Sequence, residues 1–78
     1  MPVKIYTTTN CPYCRMAKDF LKKKGVNYEE INVENNPAAA TEMMAKSHQM
    51  GVPVLDINGK IIVGFNKQVI ENALVVKA

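Results

Sequence analysis

Residues 52–63 read Val52-Pro53-Val54-Leu55-Asp56-Ile57-Asn58-Gly59-Lys60-Ile61-Ile62-Val63. Two β-rich runs flank an Asn-Gly dipeptide, the pair that most readily takes the positive φ angles of a type I′ turn, so the segment predicts an antiparallel hairpin. Downstream, Gly64 closes the second strand and Asn66 can cap a final helix whose apolar face is Val69, Ile70, Ala73 and Leu74.

Upstream of the hairpin the periodicity alternates between strand and helix. Val3 to Thr7 reads as a strand that breaks at Thr8-Thr9-Asn10. Pro12 suits a first helical turn, and Met16, Ala17, Phe20 and Leu21 then recur at helical spacing until Gly25, behind three lysines that complement the helix dipole. Val26 to Val33 reads as a second strand, with Tyr28, Ile31 and Val33 as its apolar members. Asn36-Pro37 supplies a cap and first-turn proline for a helix reaching about Ser47, in which Met43 and Met44 are expected to fill core. The predicted order is β-α-β-α-β-β-α, an α/β fold with a mixed four-stranded sheet and three helices. The first two strands must run parallel because a helix crosses between them.

At 78 residues the chain is expected to be one domain spanning 1–78, with 47% hydrophobic and 22% charged residues, a globular balance. Its net charge of +3 is spread out, no basic run exceeds Lys22, Lys23 and Lys24, and nothing resembles an RNA-binding signature, so nucleic acid is not an expected partner. No segment approaches the roughly 20 apolar residues of a membrane span, and the N-terminal stretch lacks the features of a signal peptide. A reducing, cytoplasmic setting is the expectation. No long apolar stripe remains once sheet and helices are covered, which points to a monomer.

Chemistry concentrates at Cys11-Pro12-Tyr13-Cys14. A cysteine just ahead of a helix faces unpaired backbone N–H groups and the positive end of the dipole, an environment that favours the thiolate that attacks disulfides. Cys11 is therefore read as the nucleophile and Cys14, one turn later, as the thiol that resolves the mixed disulfide. A structural disulfide scaffold would use more cysteines at wider spacing, and a single-chain zinc site would need a second ligand pair, whereas the only histidine is His48, read as a solvated helix-end residue. No metal ligand is assigned.

The CPYC motif after a first strand, together with Val52-Pro53 leading into the Asn-Gly hairpin, resembles the glutaredoxin family of the thioredoxin-like fold over nearly the whole chain. The resemblance implies a cis bond before Pro53 and a substrate site formed by Pro12, Tyr13, Val52, Pro53, Gly64, Phe65 and Asn66. In that site the Val52 backbone pairs with the substrate like an added strand and Tyr13 lies beside it. It implies a thiol-disulfide oxidoreductase acting on protein or glutathione mixed disulfides, with glutathione as co-substrate and no tightly bound cofactor.

Glutathione-using members generally carry a basic residue three positions before the first cysteine, where this chain has Thr8. They also carry an acidic pair after the glycine of the last strand, where it has Asn66 and Lys67. Lys18 and Asn66 offer polar groups to a tripeptide instead. The Val63-Gly64-Phe65-Asn66 stretch resembles the glutaredoxin-like NrdH-type redoxins, which are reduced by thioredoxin reductase and donate electrons to ribonucleotide reductase. A further alternative is an iron–sulfur cluster bridged between two chains at Cys11, although family members that do this generally lack the proline found here as Pro12.

Overall fold

The computed structural model describes residues 3–74. Its elements run β1 (Val3–Thr7), α1 (Pro12–Lys23), β2 (Glu29–Asn32), α2 (Pro37–Ser47), β3 (Val54–Ile57), β4 (Lys60–Val63) and α3 (Lys67–Leu74). The sheet order is β2-β1-β3-β4, with β1 parallel to β2 and antiparallel to β3, and β3 antiparallel to β4. This is the mixed four-stranded order anticipated from the alternation of periods, and it is the thioredoxin-like fold that the resemblance implies.

Central β1 is buried on both faces because helices cover both sides of the sheet. Val3 and Ile5 join Leu55, Ile57 and Ile62 beneath Ala17 and Leu21 of α1 and Ile70 and Ala73 of α3. Tyr6 and Val54 point the other way, packing with Met43 of α2. Ile5, Leu21, Leu55, Ile57 and Ile70 are fully buried, and each contributes roughly 1.5–3 kcal/mol relative to exposure, so the α1/α3 side carries most of the packing energy. Among the described residues no helix is long and apolar enough to cross a membrane.

Several element boundaries differ from the sequence expectation, each for a local reason. β2 begins at Glu29 rather than Val26, because the Val26 N–H is taken by the Leu21 carbonyl at 3.0 Å and the Gly25 N–H by that of Lys22. With Gly25 at φ +72°, this closes α1 as a Schellman cap. Val33 leaves the strand but packs on the α2 side. β3 starts at Val54, after the cis Val52–Pro53 bond. Met43 is buried as expected, but its neighbour Met44 is 40% exposed, since one residue along a helix turns the side chain about 100° away from the sheet. Met16 likewise faces outward.

The hairpin forms as read, with Asn58 at φ +53° and Gly59 at φ +93°. Asp56 reinforces it by accepting the Gly59 N–H at 3.0 Å, and it also receives the Lys46 ammonium at 2.8 Å. That ammonium donates to the Tyr6 hydroxyl at 3.0 Å and lies 5.4 Å from the Tyr6 ring centre, tying α2 to the sheet.

Burial disfavours the Asp56 carboxylate, but hydrogen bonds from Lys46 and the Gly59 amide outweigh it and hold the group below the usual carboxylate range. The folded state thus gives up this proton at lower pH than the unfolded chain. Its contribution is complete above the ordinary Asp range and is lost as pH falls through the folded value. Asp56→Asn is expected to destabilise the protein by roughly 1–2 kcal/mol near neutral pH, with the deficit shrinking below about pH 4. Urea denaturation across that range checks this; a pH-independent deficit would contradict it.

Candidate functional site

The strand register brings the sequence-predicted site segments to one end of the sheet. Thr7 pairs with Asn32, Tyr6 with Val54, and Val54 with Val63. The residues beyond those pairs, Thr8 to Cys11, Val33 to Glu34, Val52 to Pro53 and Gly64 to Asn66, therefore leave the sheet side by side.

The loop that carries Cys11 is pinned from β2's side. The Val33 N–H donates to the Thr7 carbonyl at 2.8 Å, the Thr9 N–H to Glu34 Oε1 at 3.0 Å, and Asn32 Nδ2 to Thr9 Oγ1 at 3.3 Å. Cys11 then stands at the N-cap of α1 in extended conformation, with Pro12 occupying the first helical position, where a missing N–H costs nothing. The Cys14 N–H donates to Cys11 Sγ at 3.2 Å, so the sulfur does the work that a capping oxygen does in other helices. Both cysteines are free thiols, Cys11 partly exposed and Cys14 only 1% exposed.

Burial pushes the Cys14 thiol up to about 12, with the hydrogen bond to Cys11 acting in the same direction. The Thr8 backbone and the Lys18 charge oppose the rise without cancelling it. The two sulfurs are therefore unequal: one is reachable and accepts an N–H, while the other is held neutral inside.

Tyr13 projects from the first turn and is 62% exposed. Pro53 is buried, follows a cis bond as the resemblance implied, and accepts the Gly64 N–H through its carbonyl at 2.8 Å. Gly64 sits at φ +83°, a conformation that side chains resist, which lets the chain turn from β4 into α3. Phe65 packs edge-on against Phe20 at 6.2 Å between ring centres. Asn66 caps α3 as expected: its Oδ1 accepts the Val69 N–H at 3.2 Å and its carbonyl the Ile70 N–H at 2.9 Å.

Sequence reasoning missed the polar cluster beneath the cysteines. Thr7 is completely buried and its hydroxyl donates to Glu30 Oε2 at 2.8 Å; the same oxygen receives Lys18 Nζ at 2.9 Å. The Lys18 hydrogen bond, more than any other influence, holds Glu30 below the usual carboxylate range. Lys18, expected to be open to a tripeptide, is thus already engaged. Its spacing four residues after Cys14 was the available signal. His48 ends α2 through its backbone, at φ +60° with its N–H on the Met44 carbonyl. Among the described residues no group of three or more His, Cys, Asp or Glu side chains is placed to hold a metal ion.

The sequence model of the glutaredoxin family matches residues 3–62. The chain is 43% identical over 72 residues to a glutaredoxin-like 8.6 kDa protein in the rubredoxin operon of Clostridium pasteurianum, spanning 92% of this chain and 96% of that one. It is 40% identical over 62 residues to glutaredoxin 3 of Escherichia coli K12, spanning 80% and 75% respectively. Among solved structures, NrdH-redoxin from Escherichia coli superposes with a TM-score of 0.85 at 28% identity, covering 100% of this chain and 99% of that one. The glutaredoxin of Archaeoglobus fulgidus superposes at 0.88 with 25% identity, covering 95% and 86%.

A thiol so raised and so enclosed should resist alkylation. In a Cys11→Ser variant at about pH 8, iodoacetamide is expected to label Cys14 roughly a hundredfold or more slower in the folded protein than in concentrated urea. Mass spectrometry of quenched samples gives both rates, and equal rates would refute the assignment of Cys14 as the inert, buried thiol.

Proposed function

The chain belongs to the glutaredoxin family, which is one of thiol-disulfide oxidoreductases, and from that premise we propose that it is a dithiol reductase of protein or glutathione mixed disulfides. The observation that carries this reading is the contact of the Cys14 N–H with the partly exposed Cys11 sulfur at the start of α1. Cys11 attacks one sulfur of the substrate disulfide, forming a Cys11–substrate disulfide and expelling the other substrate sulfur as a thiolate that takes up a proton. Cys14 then loses its proton and attacks Cys11 Sγ. The Cys11–Cys14 disulfide forms, and the second substrate thiol leaves. Two electrons have passed from the protein to the substrate.

The inertness of Cys14 at rest suits this order, because a buried neutral thiol does not compete for the first attack. Pro12 and exposed Tyr13 flank the attacking sulfur, and the Val52 backbone, ahead of the β3 ladder beside Pro53, takes an extended substrate segment as an added strand. Gly64, Phe65 and Asn66 border the same end of the sheet. The dithiol works in the reducing cytoplasm without a resident cofactor.

Glutathione is the reductant in this reading. A second reading has support from a specific observation: Asn66 commits its side-chain oxygen to capping α3, and Lys67 beside it brings positive charge where a glutathione amino group needs an anion. That favours a glutathione-independent redoxin, regenerated by thioredoxin reductase and donating electrons to ribonucleotide reductase or a similar acceptor. Coupled NADPH consumption distinguishes the two. Sustained turnover with glutathione and glutathione reductase on a small mixed disulfide is the expected result. Turnover only with thioredoxin reductase would transfer the assignment to the second reading, and turnover with neither would refute both.

A further inference from the structure

A groove of about 530 Å³ opens between the outer face of α1 and the turn into α3. Phe20 and Phe65 form its aromatic floor, and Met16, 46% exposed, stands at the end nearer the cysteines. Tyr13, Met16 and Phe20 are spaced i, i+3, i+7 on one helix, so an apolar stripe runs from the cysteine end into the groove.

The rim is basic. Lys23, Lys24 and Lys67 line it against one acid, Asp19. Lys24 is tied down, paired with Glu71 and lying 5.5 Å from the centre of the Phe20 ring. Lys23 and Lys67 make no ion pair among the described residues. An apolar floor with two uncommitted ammonium groups above it complements a segment that combines an apolar side chain with carboxylates.

We propose that this groove docks an acidic segment of the protein substrate, flanking the disulfide to be reduced, with an apolar side chain seated on the Phe20–Phe65 pair. The proposal rests on the reductase reading and adds to it the chemical class of the partner. From Tyr13 to Phe20 the helix rises about 10 Å, a span that an extended peptide covers in about three residues. The carboxylates therefore lie about three to five residues from the reacting cysteine, close enough to engage the rim while Cys11 meets the disulfide.

The test uses the reduced protein and cysteine peptides carried as mixed disulfides with thionitrobenzoate, whose release is followed by absorbance. One peptide places a phenylalanine and several glutamates at that spacing; its partner has glutamines instead. The acidic peptide is expected to react on the order of tenfold faster at low ionic strength, and the ratio should collapse at high salt. The ratio should also collapse in a Lys23→Glu, Lys67→Glu double variant but survive in Lys60→Glu, which changes net charge away from the groove. Equal rates for the two peptides in the unaltered protein would overturn the proposal, as would a preference that the double variant keeps or that Lys60→Glu removes. If neither peptide nor hydroxyethyl disulfide is reduced, it is the reductase reading that fails, and the docking proposal falls with it.

Discussion

The double-sided burial of β1 is the constraint on which the rest depends. A strand flanked by β2 and β3, with helices above and below, leaves Ile5, Tyr6 and Thr7 with no exposure at all. Such a strand cannot shift register without exposing apolar side chains or burying Lys4, so the point where the chain leaves the sheet is fixed. Everything functional follows from that exit. Thr8 to Asn10 must turn, Pro12 must open α1, and Cys11 is delivered to the helix N-cap with a backbone N–H already aimed at its sulfur.

The same geometry separates two chemically identical side chains. Three residues along a helix carry Cys14 from the rim into the interior, between the sheet and α1, where water no longer stabilises a thiolate. In the proposed mechanism this difference in burial sets the order of reaction. The Thr7–Glu30–Lys18 cluster lies under this turn and keeps a carboxylate and an ammonium paired close to the cysteines, the ammonium softening the isolation of Cys14 without abolishing it.

Much of this was legible in the residues themselves. Asn58-Gly59 announced the hairpin, Pro12 and Pro37 the helix starts, and Asn36 and Asn66 the caps, because each of those signals acts locally, on backbone within three residues. What the sequence concealed was how competing local signals resolve, and the contacts made at long range. Val26 reads as strand by composition, yet Gly25 spends its N–H on α1; Met44 reads as core by type, yet its azimuth on α2 turns it out. Thr7 and Glu30 are 23 residues apart, and no periodicity reveals a hydrogen bond that exists only because β1 and β2 run parallel. Lys46 is likewise an ordinary helical lysine until the fold sets Tyr6 and Asp56 before it.

The central claim is that the helix-capping sulfur attacks and the buried one resolves. The most direct measurement offers hydroxyethyl disulfide to Cys14→Ser and Cys11→Ser variants and weighs the products by intact-mass and peptide spectrometry. The account predicts a persistent mixed disulfide on Cys11 in the first variant and essentially none on Cys14 in the second. An adduct that forms on Cys14 as readily as on Cys11, or none on Cys11 when Cys14 is absent, would contradict it.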